Sequence, residues 1–196
     1  ADAQRKTDNG GTDIVAAVTA LGFDAYNTAI EAMKIADSPD PLAIREALFK
    51  GLCAAGTHGK TTTSTMTAHL LHQSQVGCDA FLGGISKNYG TNLLLSDHSD
   101  YVVIEADEFD RSFHWLTPYA TVITSTDADH LDIYGTEEAY LESFSHYTSL
   151  ILPGGALIMR EGIRLQPRLQ EGVRLYTYST QSGDFHAENI RIGGGE

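Results

Sequence analysis

Between Asp13 and Ala36 apolar residues return at helical spacing, with Ile14, Val15, Val18 and Leu21 followed by Ala25, Tyr26, Ala29, Ile30 and Met33. The pattern predicts a helix that Gly22 divides into two pieces. In SPDPLAIREALF, Asp40 is a helix cap, Pro41 suits the first helical position and Gly51 follows near the end, which predicts a further helix. The dozen residues before Asp13 are polar and glycine-containing, as at a frayed terminus. Beyond Gly51 the grammar changes to strand, loop, helix. Leu52–Ala55 reads as a short buried strand, and Lys60 to about Gln73 as a helix with Met66, Leu70 and Leu71 toward a sheet. Tyr101–Asp107 (YVVIEAD) and Thr121–Thr126 (TVITST) are short β-branched runs, as expected for strands covered on both faces of a parallel sheet. EEAYLESFSHYTSLI predicts a helix, GALIMRE a strand and RLQPRLQ a short helical turn, with RLYTYST and HAENIRI as the last strands. The whole reads as an α/β fold, a largely parallel sheet flanked by helices, with a helical segment over residues 1–50 preceding the main domain at 51–196.

Composition narrows the partners. The chain has 196 residues, enough for a sizeable core, and 26 acidic against 13 basic residues give a formal net charge of −13. That charge repels a polyanion unless cations cluster, and no such Lys/Arg run occurs, so nucleic acid is not an expected partner. With no long apolar span or signal-like segment, neither is a membrane, and a cytoplasmic setting is expected. The two cysteines, Cys53 and Cys78, are expected as reduced thiols, Cys53 as a small core residue; no Cys/His spacing has the form of a zinc site.

The chemistry begins at GLCAAGTHGKTTT, Gly51–Thr63. A glycine-rich turn between a buried strand and a helix aims successive backbone N–H groups into one concavity at the positive end of the helix dipole, which makes an anion site. Lys60 adds a cation for β- and γ-phosphates, and the Thr61 hydroxyl is placed for Mg2+. The strict phosphate-loop pattern requires a glycine at 54; this chain has Ala54, with Gly56 and Gly59 instead.

Magnesium needs hard oxygen ligands, which in α/β sheets come from neighbouring strand ends. Glu105, Asp107, Glu108 and Asp110 follow the run YVVI, and the strand period puts Glu105 and Asp107 on one face and Glu108 on the other. Glu105 is the preferred ligand, and the later acids read as a solvated loop. Asp127, Asp129, His130 and Asp132 follow the next strand; His130 suits either a metal ligand or a group turned toward a phosphate. His58 lies in the phosphate loop, and the other histidines read as surface or packing residues.

GTHGKTTT (56–63), FLGGISKNYGTN (81–92), EADEFDRSF (105–113) and DADHLDIYG (127–135), in this order, resemble the central ATP-binding domain of the Mur ligases, from about Gly51 onward. The pairing of GTHGKTTT with EADE and DHLD is similar to the branch that joins UDP-N-acetylmuramate to L-alanine, and Gly56 in place of 54 is that family's form of the loop. Ser125 departs from the pattern, since many members carry Asn there. The resemblance implies that Gly56, Thr57, His58, Gly59, Lys60, Thr61 and Thr62 cradle ATP, that Thr61 and Glu105 hold one Mg2+ and His130 a second, and that Gly83, Gly84, Ser86, Lys87 and Asn88 lie along the UDP-sugar acid. Lys60, Glu105 and His130 are then the catalytic set. The implied reaction transfers the γ-phosphate to the substrate carboxylate, and an amine opens the acyl phosphate to an amide.

That family uses three domains, and only the central one is recognisable, so full ligation by this chain alone is not expected; the second reading is a chimeric or designed nucleotide-binding module without turnover. Ala20–Leu48 resembles a helical segment of periplasmic amino-acid-binding proteins, which implies a joined chain with packing helices at 1–50. A sheet shortened at its C-terminal end leaves edges through which a homodimer is expected.

Overall fold

The computed structural model describes residues 51–189; a division into two units falls between Leu48 and Phe49. The helices expected within 13–50 therefore lie outside the described residues. From Gly51 onward the elements are β1 (Gly51–Ala55), α1 (Lys60–His72), β2 (Asp79–Ser86), β3 (Thr91–Leu94), β4 (Val102–Glu105), a 3-10 turn (Ser112–Trp115), β5 (Ala120–Ile123), the short α2 (Leu131–Tyr134), α3 (Glu137–Thr148), β6 (Ala156–Arg160), β7 (Arg174–Ser179) and β8 (Phe185–His186). One sheet runs in the order β3-β2-β4-β1-β5-β6-β7-β8. Among the described residues only the β2–β3 pairing is antiparallel. The largely parallel α/β sheet expected from the sequence is therefore what forms.

β1 lies between β4 and β5, with Ala54 opposite Glu105 and Ala55 opposite Ile123. Its small residues are buried, and the carboxyl ends of all three strands open on the same side, where an open α/β sheet binds ligands. One face of the sheet carries α3, whose Tyr140, Phe144 and Tyr147 recur at helical spacing and are fully buried with Phe113, Ile123, Ile151 and Leu157. Phe113 stacks on Tyr147 at 4.8 Å between ring centres and meets Phe144 edge-on. Burying one such side chain contributes about 2–3 kcal/mol. The Thr136 hydroxyl accepts from the Ala139 N–H and caps α3.

Three local expectations are corrected. In α1 the buried positions are Ser64 and Ala68, with Leu71 partly buried, while Met66 and Leu70 are 61% and 68% exposed. The phase of the helix follows from Thr61, which turns toward Glu105 and so draws 64, 68 and 71 onto the sheet side. RLQPRLQ forms no helical turn but runs irregularly from β6 toward β7; Pro167 lacks an N–H and biases Gln166 toward extended backbone. The segment is fixed instead by side chains of α3, with Ser145 donating to the Gln166 carbonyl and the Arg168 N–H donating to Thr148. Of HAENIRI only His186 belongs to a strand, 187–189 form none, and the remainder lies outside the described residues. The antiparallel hairpin of β2 and β3 was not anticipated from the sequence.

Both cysteines are free and buried, as expected. Burial pushes the Cys53 thiol up to about 12, against a lowering contribution from Tyr147. Burial pushes Cys78 to about 11, so neither is a nucleophile near neutral pH.

His114 offers a pH test of the core. It stacks on Phe113, and its Nε2 reaches the Ser143 hydroxyl at 2.9 Å and the Ser143 carbonyl at 3.0 Å. Burial holds its pKa below the usual 6.5, aided by the charges of His146 and Arg111 and opposed by the bond to the Ser143 carbonyl. The unfolded chain therefore takes up the proton first, so this contribution to stability is complete above the unfolded value and is lost as pH falls through the lower folded one. Thermal melts from about pH 7 down to about pH 5.5 are expected to show a declining Tm, with a shallower decline in His114→Gln.

Candidate functional site

The loop after β1 is shaped by what surrounds it. Gly56 has φ +126°, and a Cβ there would sit 2.4 Å from the Thr124 hydroxyl and within 2.9 Å of the Ser125 backbone. Thr124 follows β5; its hydroxyl donates to the His58 carbonyl and its backbone N–H to the Ala55 carbonyl. The Thr57 N–H donates to the Ser125 carbonyl, and the His58 N–H donates to the Ser125 hydroxyl at 2.9 Å. Ser125, the departure noted in the sequence, thus anchors the loop. Thr57 donates through its hydroxyl to the Asp127 carbonyl at 2.7 Å; that leaves the Tyr140 hydroxyl, 2.8 Å away, to donate to Thr57. The loop is thereby tied to the core helix α3.

Gly59 caps α1 with φ +85°, and a concavity of about 240 Å3 lies beside it, lined by Thr57, Gly59, Lys60, Thr61, Thr62 and Glu105. The Thr61 hydroxyl donates to Glu105 Oε1 at 2.8 Å, and the Gly83 N–H donates to Glu105 Oε2 at 2.9 Å. A Cβ at Gly83 would fall 2.2 Å from that carboxylate oxygen, so β2 can approach Glu105 only as glycine, and Gly84 faces the Thr61 methyl. The expected pairing of Thr61 with Glu105 is therefore present, beside two of the residues assigned to the UDP-sugar acid. A hydroxyl and a carboxylate on adjacent elements fit Mg2+, which takes most of its oxygens from water and phosphates rather than from an all-protein cage.

Lys60 makes three contacts. Its Nζ donates to the Gly56 carbonyl at 2.9 Å and lies 2.9 and 2.7 Å from Glu108 Oε1 and Oε2. Glu108 is 1% exposed, and the Tyr134 hydroxyl donates to its backbone carbonyl. The reading of Glu108 as a solvated loop residue is therefore corrected. Past the end of β4 the chain turns inward at Ala106 and brings Glu108 beneath the loop, a reversal that strand periodicity does not encode. Asp107 and Asp110 do behave as loop residues, accepting from the N–H groups of Phe109 and Ser112.

His130 is not joined to this set. It has φ 52° at the head of α2, its ring lies 3.7 Å from Asp129 and edge-on to Phe109, and no hydrogen bond or ion pair links it to Thr61 or Glu105. Among the described residues no group of three His, Cys, Asp or Glu side chains converges as a metal set. His58 is exposed, 3.7 Å from Asp127. Of the residues assigned to the UDP-sugar acid, Ser86 is buried at the end of β2, Lys87 is exposed and Asn88 contacts His69 on α1, which also bonds Tyr89. Thr124, Tyr134 and Tyr140 were missed; their types carry no chemical signal, and the TST that follows β5 pointed to Thr124 alone. Among the described residues no helix is long and apolar enough to cross a membrane.

The comparisons with known proteins fall on the same residues. The family model described as Mur ligase middle domain matches residues 54–194. The UDP-N-acetylmuramate–L-alanine ligase of Phocaeicola vulgatus is 83% identical over 147 residues, covering 75% of this chain and 32% of that protein. The enzyme of the same name from Parabacteroides distasonis is 72% identical over 144 residues, covering 73% and 31%. The chain thus spans about a third of the length of these relatives. Among solved structures, a UDP-N-acetylmuramate-alanine ligase from Thermotoga maritima superposes with a TM-score of 0.59 at 26% identity, over 71% of this chain and 31% of that one.

Proposed function

Because the chain belongs to the Mur ligase family through its middle domain, we propose that it binds Mg-ATP in the cradle after β1 and presents the γ-phosphate to the carboxylate of a UDP-sugar acid, UDP-N-acetylmuramate, for later coupling to L-alanine. The observation that carries this reading is the convergence of Lys60, Thr61 and Glu105 on a loop whose backbone is held from behind by Thr124 and Ser125.

In this reading the free N–H groups at the start of α1 meet phosphate oxygens at the positive end of the helix. Lys60 offsets charge that builds on the transferred phosphoryl group. Thr61 and Glu105 would hold Mg2+, which supplies Lewis-acid polarisation of the phosphate oxygens. Gly83 and Gly84, against Glu105 and Thr61, set the floor on which the sugar acid's carboxylate approaches, with Ser86, Lys87 and Asn88 further along the same strand and turn. His130, at the head of α2, is the residue that would hold a second Mg2+. Coupling to the amine belongs to the whole enzyme rather than to this portion of it.

Calorimetry tests the reading. The chain is expected to bind ATP more tightly with Mg2+ than with excess chelator, and Glu105→Gln is expected to abolish most of that difference while leaving metal-free binding in place. Equal metal dependence in the variant would remove Glu105 from the site. Phosphate release on adding UDP-N-acetylmuramate and L-alanine would show turnover, and binding without release would favour a nucleotide-binding module.

A further inference from the structure

An ammonium group carries three protons, and Lys60 Nζ has three acceptors within 2.9 Å, the Gly56 carbonyl and both oxygens of Glu108. Every donor of the phosphate-loop lysine is thus satisfied by the protein itself. Its partner cannot turn away, because Glu108 is 1% exposed and its backbone is held by the Tyr134 hydroxyl. Lys60 has more freedom, at 15% exposure and on the wall of the concavity. A phosphate entering that space can gain a bond from Lys60 only in exchange for one that Lys60 already makes.

We propose that Glu108 is a positioning residue that sets the resting place and the effective charge of Lys60, so that the β- and γ-phosphates of a nucleotide bind by displacing part of the Lys60–Glu108 contact. The inference rests on the nucleotide reading above and adds to it a restraint on affinity. A carboxylate 2.7 Å from the ammonium cancels much of the field that the cation presents to an anion, in a site where charges interact more strongly than in water. The restraint acts on phosphates in reach of Lys60 and spares the nucleoside and α-phosphate, which gives it a signature that general loosening of the fold lacks.

The experiment compares ADP and AMP by calorimetry, in the absence of divalent metal, on the wild-type chain and on Glu108→Gln, which keeps the side chain's size and an oxygen for Lys60. The variant is expected to bind ADP roughly tenfold more tightly, the size of one exchanged charge-assisted bond, with AMP affinity unchanged. Unchanged or weaker ADP binding by the variant overturns the proposal, as does an equal gain for AMP. A wild-type chain that binds neither nucleotide overturns the nucleotide reading itself and the exchange with it. Should Glu108→Gln fail to fold, 15N-lysine-labelled wild-type chain decides. One ammonium signal is expected to be protected from solvent exchange in the free chain and to lose that protection on adding pyrophosphate. Absence of a protected signal, or protection unaltered by saturating pyrophosphate, overturns the proposal.

Discussion

Lys60→Met is expected to lower the unfolding free energy by about 3 kcal/mol, a large share of the roughly 5–15 kcal/mol typical of a folded domain. The substitution keeps the apolar stem and removes the charge, which strands the Glu108 carboxylate at 1% exposure with no cation. Both Glu108 oxygens lose the Lys60 ammonium, their side-chain partner among the described residues. Breaking a buried pair from one side costs more than replacing the pair, because the remaining charge is desolvated without compensation. Lys60→Met/Glu108→Gln is therefore expected to recover at least half of the loss. Urea denaturation of the three chains measures both quantities, and a single-variant cost below about 1 kcal/mol would mean that water reaches Glu108 and that the pair contributes little. The same variant is expected to bind ATP about tenfold or more weakly, since one charge-assisted contact is gone.

Gly56→Ala is the second large effect, expected to cost about 3 kcal/mol and to reduce ATP affinity at least about tenfold. The added Cβ would lie 2.4 Å from the Thr124 hydroxyl and 2.8 and 2.9 Å from the Ser125 carbonyl oxygen and nitrogen, at a φ of +126°. Two of these three obstacles are backbone, so a side-chain rotation cannot relieve them, and the loop must leave the end of β5. Gly59→Ala is the control. Its φ is also positive, at +85°, but the nearest atoms to an added Cβ are 4.0 Å away, so only the left-handed strain of about 1–2 kcal/mol remains. Thermal or urea denaturation that finds the two variants equally affected would refute the steric account of Gly56.

The sequence disclosed the parts of this site that chemistry marks by residue type. Two glycines, a lysine and a hydroxyl between a buried strand and a helix mark the loop proposed as an anion cradle, and Glu105 at the end of a β-branched run is the acid proposed as a cation ligand. The Thr61 hydroxyl and the Glu105 carboxylate lie 2.8 Å apart. The α/β character was legible for a similar reason, because short β-branched runs alternating with helical periods leave few other layer arrangements. Glu108 was misread because its role depends on where the chain goes after a strand ends, and three of the four acids in EADEFD do behave as the pattern indicates or as loop residues. Met66 and Leu70 were misassigned because the phase of α1 is fixed by Thr61 and not by hydrophobic count. In RLQPRLQ a helical reading gave way to contacts with α3 that lie about twenty residues away in the chain.

By itself, then, the sequence determined the α/β alternation of β1, α1, β4, β5, α3 and β6, the glycine-rich turn between β1 and α1 and the acid at the end of β4, since these rest on backbone propensity and on residue types whose pattern is local. Only the tertiary structure decided that Thr124 and Ser125, just past β5, supply the hydroxyls that lock the loop, that Tyr140 reaches Thr57 from α3, that His130 stands apart from the Thr61–Glu105 pair, and that Glu108 lies buried against Lys60. The physical reason is that desolvation and pairing depend on the distance between segments far apart in the chain, which no local pattern of residues records.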